Sequence, residues 1–267
     1  MKIGVVGCSG RMGRMLVKAI HDIDGAEFAG GTEAPESDFL GQDPGVLAGL
    51  QPSGQTISDD ASALFATADA VVDFTVPAAT VIHAKLAAEH GAALIPGTTG
   101  LNKDQQAEIE TAAASVAIVQ AANYSVGVNL LQVLTEKAAA ALGPDTYDIE
   151  VLEMHHRHKV DAPSGTALAL GQAAADGRGV DLDAVSQRVR DGITGERQTG
   201  DIGFATLRGG MVVGDHSVIF ASDDERIELT HKAGDRGLFA NGAIRAALWT
   251  SGKAPGLYSM RDVLGLA

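Results

Sequence analysis

The first 125 residues alternate short apolar runs with stretches in which apolar positions recur every three to four residues, the pattern of a parallel sheet flanked by helices. Strands are expected at 3–6, 26–31, 70–74, 92–95 and 117–120, with helices near 11–21, 78–90 and 102–114. Beyond residue 126 the texture changes. A helical pattern at 128–142 leads to an apolar run at 149–154, and then polar and apolar residues alternate at 186–190, 204–208, 217–221 and 226–230. That period of two predicts an antiparallel or mixed sheet with one buried face. The stretch 239–249 returns to the helical period and is expected to pack back on the first region. The fold class expected is therefore α/β, with a discontinuous parallel-sheet domain (1–125 with 236–267) interrupted by an α+β domain with a mixed sheet (126–235). The segment 32–60 is polar and rich in glycine and proline, and reads as a mobile loop.

Composition narrows the function. The 267 residues are 45% hydrophobic, with 33 glycines and 4% aromatics, which is enough for a buried core and suits a glycine-rich α/β protein. A formal charge of -14 argues against a nucleic-acid partner, because phosphate backbones are held by an excess of Lys and Arg. The single cysteine, Cys8, excludes an intramolecular disulfide and a paired-cysteine zinc site. The first strand begins without a signal-peptide layout, and no apolar run reaches membrane-spanning length, so a cytoplasmic location away from membranes is expected.

Against the acidic background stands EMHHRHKVDAPSGTALAL, residues 153–170. His155, His156, Arg157, His158 and Lys159 would focus an anionic small molecule into one spot. Pro163 disfavours helix at Ala162, and Ser164 can cap the helix that follows. The first-turn amides of Gly165 and Thr166 would then meet a carboxylate or phosphate, with no side chain at Gly165 to hold it away and a hydroxyl at Thr166 to help. His158 reads as a loop residue, His216 and His231 as packed or surface residues, and Asp161 as a turn cap rather than a partner of Lys159. A metal site is not expected, since adjacent histidines in an extended segment diverge and no nearby carboxylate pair completes one.

At the other end, Gly7, Gly10 and Gly13 lie at three-residue spacing between a strand and a helix, with Cys8, Ser9, Arg11 and Met12 among them. A tight turn, close approach of backbone to a pyrophosphate and a helix N-terminus follow from that layout. Glu33, about 20 residues on, can accept from both hydroxyls of an adenosine ribose and would repel a 2′-phosphate. Ala34 follows where an arginine would bind that phosphate, so NADH is expected to serve at least as well as NADPH. Gly97, Thr98 and Thr99, and then Ala121, Ala122, Asn123 and Tyr124, leave the carboxyl ends of two further strands, where open parallel sheets bind ligands. Thr98, Thr99 and Asn123 suit a nicotinamide carboxamide and its ribose.

The motifs GCSGRMG, DFT with Pro77, IPGTTG, AANYSVGVN, EMHHRHKVDAPSGTA, IGFATLRGG and FANGAIRAALW together resemble the 4-hydroxy-tetrahydrodipicolinate reductase (dihydrodipicolinate reductase) family over nearly the whole chain. The resemblance implies a Rossmann-like dinucleotide-binding domain and an inserted domain for substrate and oligomerisation. It implies an NAD(P)H-dependent oxidoreductase of the diaminopimelate branch of lysine biosynthesis, working as a homotetramer on a cyclic imine dicarboxylate. His155 looks like the catalytic acid/base and Lys159 like the proton-donating cation, with the proton not apportioned between them. His156, Gly165 and Thr166, beside the capping Ser164, look like the carboxylate-binding set. The cofactor shell would comprise Gly7 to Met12, Glu33, Gly97 to Thr99 and Ala121 to Tyr124. Two departures, Ala34 and Val76 in place of arginines, weaken recognition of a 2′-phosphate or the pyrophosphate. A reductase for another imino or amino acid, and a non-catalytic dinucleotide sensor, are the competing readings; the sensor would have no use for His155 and Lys159.

Overall fold

The computed structural model describes residues 1–266 and divides into two compact units, Met1–Val126 with the segment from Gly237 onward, and Gly127–Arg236. In chain order the first part comprises β1 (Lys2–Val6), α1 (Arg11–Asp22), β2 (Glu27–Thr32), α2 (Pro44–Leu47), α3 (Ala61–Thr67), β3 (Ala70–Asp73), α4 (Pro77–His90), β4 (Ala93–Pro96), α5 (Lys103–Ala113) and β5 (Ala117–Val119). Then follow α6 (Val126–Ala141), β6 (Asp148–His155), α7 (Gly165–Arg178), α8 (Leu182–Val185), β7 (Ser186–Gln187), β8 (Ile202–Arg208), β9 (Asp215–Ala221) and β10 (Arg226–Lys232). The chain closes with α9 (Gly237–Trp249), β11 (Gly256–Tyr258) and α10 (Met260–Leu264).

In the first unit, six parallel strands run in the order β11-β5-β4-β3-β1-β2. The short strands read as continuous apolar runs because both sheet faces are covered. Leu16 and Ile20 of α1 and Ile244 of α9 pack with Ile3 and Val5 in one cluster, while Phe65, Ala84 and Ile109 of α3 to α5 pack with Val71 and Leu94 in another. Gly242 in α9 is required by a close approach, since a Cβ there would lie 1.8 Å from the Tyr124 carbonyl oxygen. Strand order reverses between β1 and β3, so the crevice at their carboxyl ends is the topological place for a ligand. The expected loop at 32–60 contains α2 and is gathered around Asp43, whose carboxylate accepts from the amides of Gly45, Val46, Ser53 and Gly54. Strand β11 was not expected, because three residues are too few to show a period.

The second unit is a mixed sheet in the order β10-β9-β6-β8-β7, with β6, β8 and β7 parallel and β9 and β10 antiparallel to their neighbours. Leu131 of α6 and Leu170 and Ala174 of α7 pack with Val151, Phe204, Val218 and Phe220 on one face. Ser164 and the left-handed Gly179 (φ 66°) bound α7 at its two ends. The other face carries Leu152, Met154 and Ile219, half-buried, and Leu207, 48% exposed. The strand expected at 186–190 is only Ser186–Gln187; the chain then leaves the sheet edge, and Arg190 forks onto Glu150 with two 2.7 Å bonds. Strand β6 instead runs one residue further than expected, to His155.

Candidate active site

That extra residue decides the geometry. Glu153 and His155 lie two apart on β6, so their side chains share its inner face, and they are 1% and 8% exposed. Sheet register places Arg208 of β8 level with His155 and His216 of β9 level with Glu153. His155 Nδ1 is hydrogen-bonded to Glu153 Oε2. Arg208 forks onto the same carboxylate with two 3.0 Å bonds, and the Ser164 amide donates to Oε1 at 3.0 Å. Burial alone would raise the Glu153 pKa. The hydrogen bonds from Arg208, His155 and the Ser164 amide outweigh it and hold the carboxyl below its ordinary value.

His216 stands edge-on to His155, with ring centroids 5.0 Å apart, and its Nε2 lies 3.2 Å from the Ser164 hydroxyl. Burial, then the neighbouring charge of His155, pushes His216 down to about 4, so it is neutral at physiological pH. Glu153, His155 and His216 each present a ligand-type atom within 4.8 Å of the others. A metal ion there would have to displace the Arg208 guanidinium from the carboxylate it already neutralises.

Downstream of β6 the cationic run spreads. His156 is half-buried with Nε2 3.2 Å from an Arg236 nitrogen, and partial burial followed by the Arg236 charge holds its pKa below the usual value. Lys159 Nζ lies 2.8 Å from Asp161 Oδ1. Asp161 is thus a partner of Lys159, not the turn cap expected from sequence, and its carbonyl accepts from Arg208 at 2.6 Å. Arg157 and His158 are exposed.

Ser164 caps α7, as expected. It is 2% exposed, and its hydroxyl both accepts from the Ala167 amide at 3.1 Å and meets His216, so its oxygen is committed to the fold. Held between Glu153, His216 and the Ala167 amide, it fixes where α7 starts. Gly165, by contrast, is exposed, and a Cβ added there would meet nothing within 4 Å. Thr166 beside it is half-buried. The start of α7 therefore offers backbone to open space, with the helix dipole behind it.

In the first unit, the loop after β1 is built from main chain. Gly7 is left-handed (φ 68°), and a Cβ on Gly13 would lie 2.1 Å from the Gly7 carbonyl oxygen. Gly10 is the N-cap of α1, and no side chain caps the first turn. Uncapped amides at a helix N-terminus suit a pyrophosphate. Glu33 Oε1 accepts from the Ser9 amide at 2.7 Å and the Ser9 hydroxyl at 2.6 Å, which ties the end of β2 to this loop. Arg11 is exposed and Met12 half-buried at the start of α1, whereas Arg14 is drawn to the Ser9 carbonyl and the Phe39 ring.

Two residues expected in the cofactor shell turn inward instead. Cys8 is 1% exposed and packs against Gly31; burial, then the charge of Glu33, pushes its thiol up to about 12. Tyr124 is 1% exposed, with its hydroxyl 2.6 Å from the Val119 carbonyl and 3.0 Å from that of Pro96. Each can meet a ligand only through its backbone, because the side chains fill the core beneath the crevice. Thr98 is also buried and accepts from Thr80 at 2.8 Å, while Thr99 and Ala122 are exposed and Gly97, Ala121 and Asn123 are half-buried. Below them Asp73, fully buried, bonds His83 Nδ1 at 2.8 Å and the Thr75 amide and hydroxyl at 2.8 and 2.6 Å.

Sequence reasoning missed Glu153, Arg208, His216 and Arg236. The spacing of Glu153 and His155 is a signal for two side chains on one strand face, once the strand is extended to His155. For the other three, on β8, on β9 and in the connection before α9, the linear sequence carries no such signal.

Two family models match the chain, the dihydrodipicolinate reductase N-terminus over residues 1–124 and its C-terminus over 127–264. The 4-hydroxy-tetrahydrodipicolinate reductase of Rhodopseudomonas palustris is 57% identical over 267 residues, covering 100% of this chain and 98% of the relative. That of Dinoroseobacter shibae is 58% identical over 264 residues, covering 99% and 98%. Among solved structures, the dipicolinate-bound dihydrodipicolinate reductase of a Paenisporosarcina species aligns with a TM-score of 0.76 at 22% identity, covering 97% of each chain, a likeness of fold.

Proposed function

Since the chain belongs to the dihydrodipicolinate reductase family, we propose that it reduces 4-hydroxy-tetrahydrodipicolinate to tetrahydrodipicolinate in the diaminopimelate branch of lysine biosynthesis, with NADH or NADPH as reductant. It is an oxidoreductase. The observation that carries the reading is the buried His155, turned by Glu153 beside a cationic run and an open helix start in a chain of charge -14.

Substrate and product differ by one oxygen, so one hydride and one proton are consumed and one water is released. When bound, the reduced nicotinamide supplies the hydride. The residues to hold it are the backbone of Gly7 to Met12 with Glu33, Gly97 to Thr99 and Ala121 to Tyr124; Gly7, Gly10 and Gly13 fit that task because their missing side chains let a pyrophosphate reach α1. Glu33 sets the cofactor preference by repelling a 2′-phosphate, and Ala34 offers nothing to bind one. NADH therefore serves at least as well as NADPH.

One substrate carboxylate sits at Gly165 and Thr166 with help from His156. Charge that develops on the ring as hydride arrives is stabilised by the Lys159 ammonium, and the proton comes from His155 or Lys159. The first unit is thus the dinucleotide-binding domain and the second the substrate domain. The apolar face of Leu152, Met154, Leu207 and Ile219 is the surface through which four copies assemble, which light scattering after size-exclusion chromatography tests. Among the described residues no helix is long and apolar enough to cross a membrane; the working place is the cytoplasm. The deciding assay follows NADH oxidation with the cyclic imine generated in situ from pyruvate and aspartate semialdehyde. No oxidation with that substrate sinks the proposal.

A further inference from the structure

We infer that Glu153, clamped by Arg208, is a positioning residue that keeps the His155 Nδ1 proton bonded inward and makes Nε2 the nitrogen through which His155 exchanges a proton with substrate. The inference deepens the proposed function and rests on its reading of His155 as a proton-transferring group.

Four observations carry it. The carboxylate is 1% exposed and receives the Arg208 fork, the Ser164 amide and His155. A buried ion pair alone is poor value for stability, because apolar residues of similar volume hold a sheet at least as well. Glu153 and Arg208 neutralise each other across the sheet. The ring packed edge-on to His155, that of His216, does not compete, since it is neutral and turned to the Ser164 hydroxyl. Gly214 lies beside the other nitrogen, where a Cβ would approach Nε2 to 2.9 Å, and so keeps that nitrogen reachable.

The proton balance is simple. The Nε2–H bond of the imidazolium breaks, its electron pair stays on the ring, and the proton goes to the substrate. The neutral ring keeps Nδ1–H on Glu153, and solvent returns a proton to Nε2 before the next turnover. The charged and titratable groups facing His155 are Glu153 on its own strand, Arg208 on β8, His216 on β9, and Lys159 and His156 from the segment after β6; of these, Glu153 alone is anionic.

The test pairs two measurements. In the unaltered enzyme, labelled with ¹⁵N-histidine, neutral His155 should be the Nδ1–H tautomer; an Nε2–H tautomer overturns the inference, whether or not any variant folds. In Glu153→Gln, which is nearly isosteric, kcat should fall about 100-fold or more with substrate KM changed far less. A folded Glu153→Gln with unaltered kcat overturns the inference too. His155→Ala run in parallel separates the two levels. Normal turnover there removes the underlying reading, whereas a crippled His155→Ala beside a normal Glu153→Gln removes this inference alone.

Discussion

The two units make their sites from different material. The first presents backbone: Gly7, Gly10 and Gly13 within seven consecutive residues, where the missing side chains form the feature. The second presents side chains: Glu153 and His155 from β6 and Arg208 from β8 are joined by hydrogen bonds, and His216 from β9 packs edge-on to His155 and is bonded to Ser164. A backbone site is broken by adding atoms, and a side-chain site by removing charge. Each region should therefore fail in its own measurement.

The largest expected effect is in the second unit. His155→Ala and Lys159→Ala should each lower kcat by about 10²- to 10⁴-fold, and by more than they raise KM. Near-normal turnover in both would erase the contrast between the regions.

Next comes the pH dependence of stability. His216 is neutral in the fold, with a pKa lowered from 6.5 to about 4, so the native state resists a proton that the unfolded chain takes up. Its contribution is fully present above pH 6.5 and is lost as pH falls toward about 4, amounting to about 3 kcal/mol. Denaturant unfolding across that window should show the slope in the parent and a flatter one in His216→Gln. Asp73 and Glu153, both held below ordinary carboxyl values, withdraw their stabilisation only at lower pH.

In the first unit, Gly13→Ala forces a Cβ against the Gly7 carbonyl and should cost about 1–3 kcal/mol, read as a raised KM for NADH and a lowered Tm with the substrate KM little changed. Ser164→Ala removes the cap of α7 and should cost about 1 kcal/mol in unfolding. The smallest effect is expected for Glu33→Gln, which keeps the Ser9 contact yet removes the charge opposed to a 2′-phosphate. The ratio of kcat/KM for NADPH over NADH should rise by several-fold; an unchanged ratio would detach Glu33 from cofactor choice.

Legibility followed the same division. The glycine loop, the helices that begin at Arg11 and Gly165, and the parallel strands were readable because each depends on neighbours within a few residues. For Cys8 and Tyr124 the direction of the side chain was not legible, because a loop position states which residues leave a strand, not which side chain turns inward. Asp161 was misjudged because its pairing with Lys159 depends on how an irregular segment folds back. His216 was set aside as an ordinary strand histidine, although register places it level with Glu153.

From the amino-acid order alone came the α/β class, the glycine turn and the cationic run before Ser164, all set by local sterics, periodicity and charge. Only the tertiary structure decided which side chains meet across β6, β8 and β9, because strand register is settled by packing over the whole sheet. The same packing turned a run of histidines into one oriented imidazole, by bringing a guanidinium from a distant strand onto the carboxylate two residues before it.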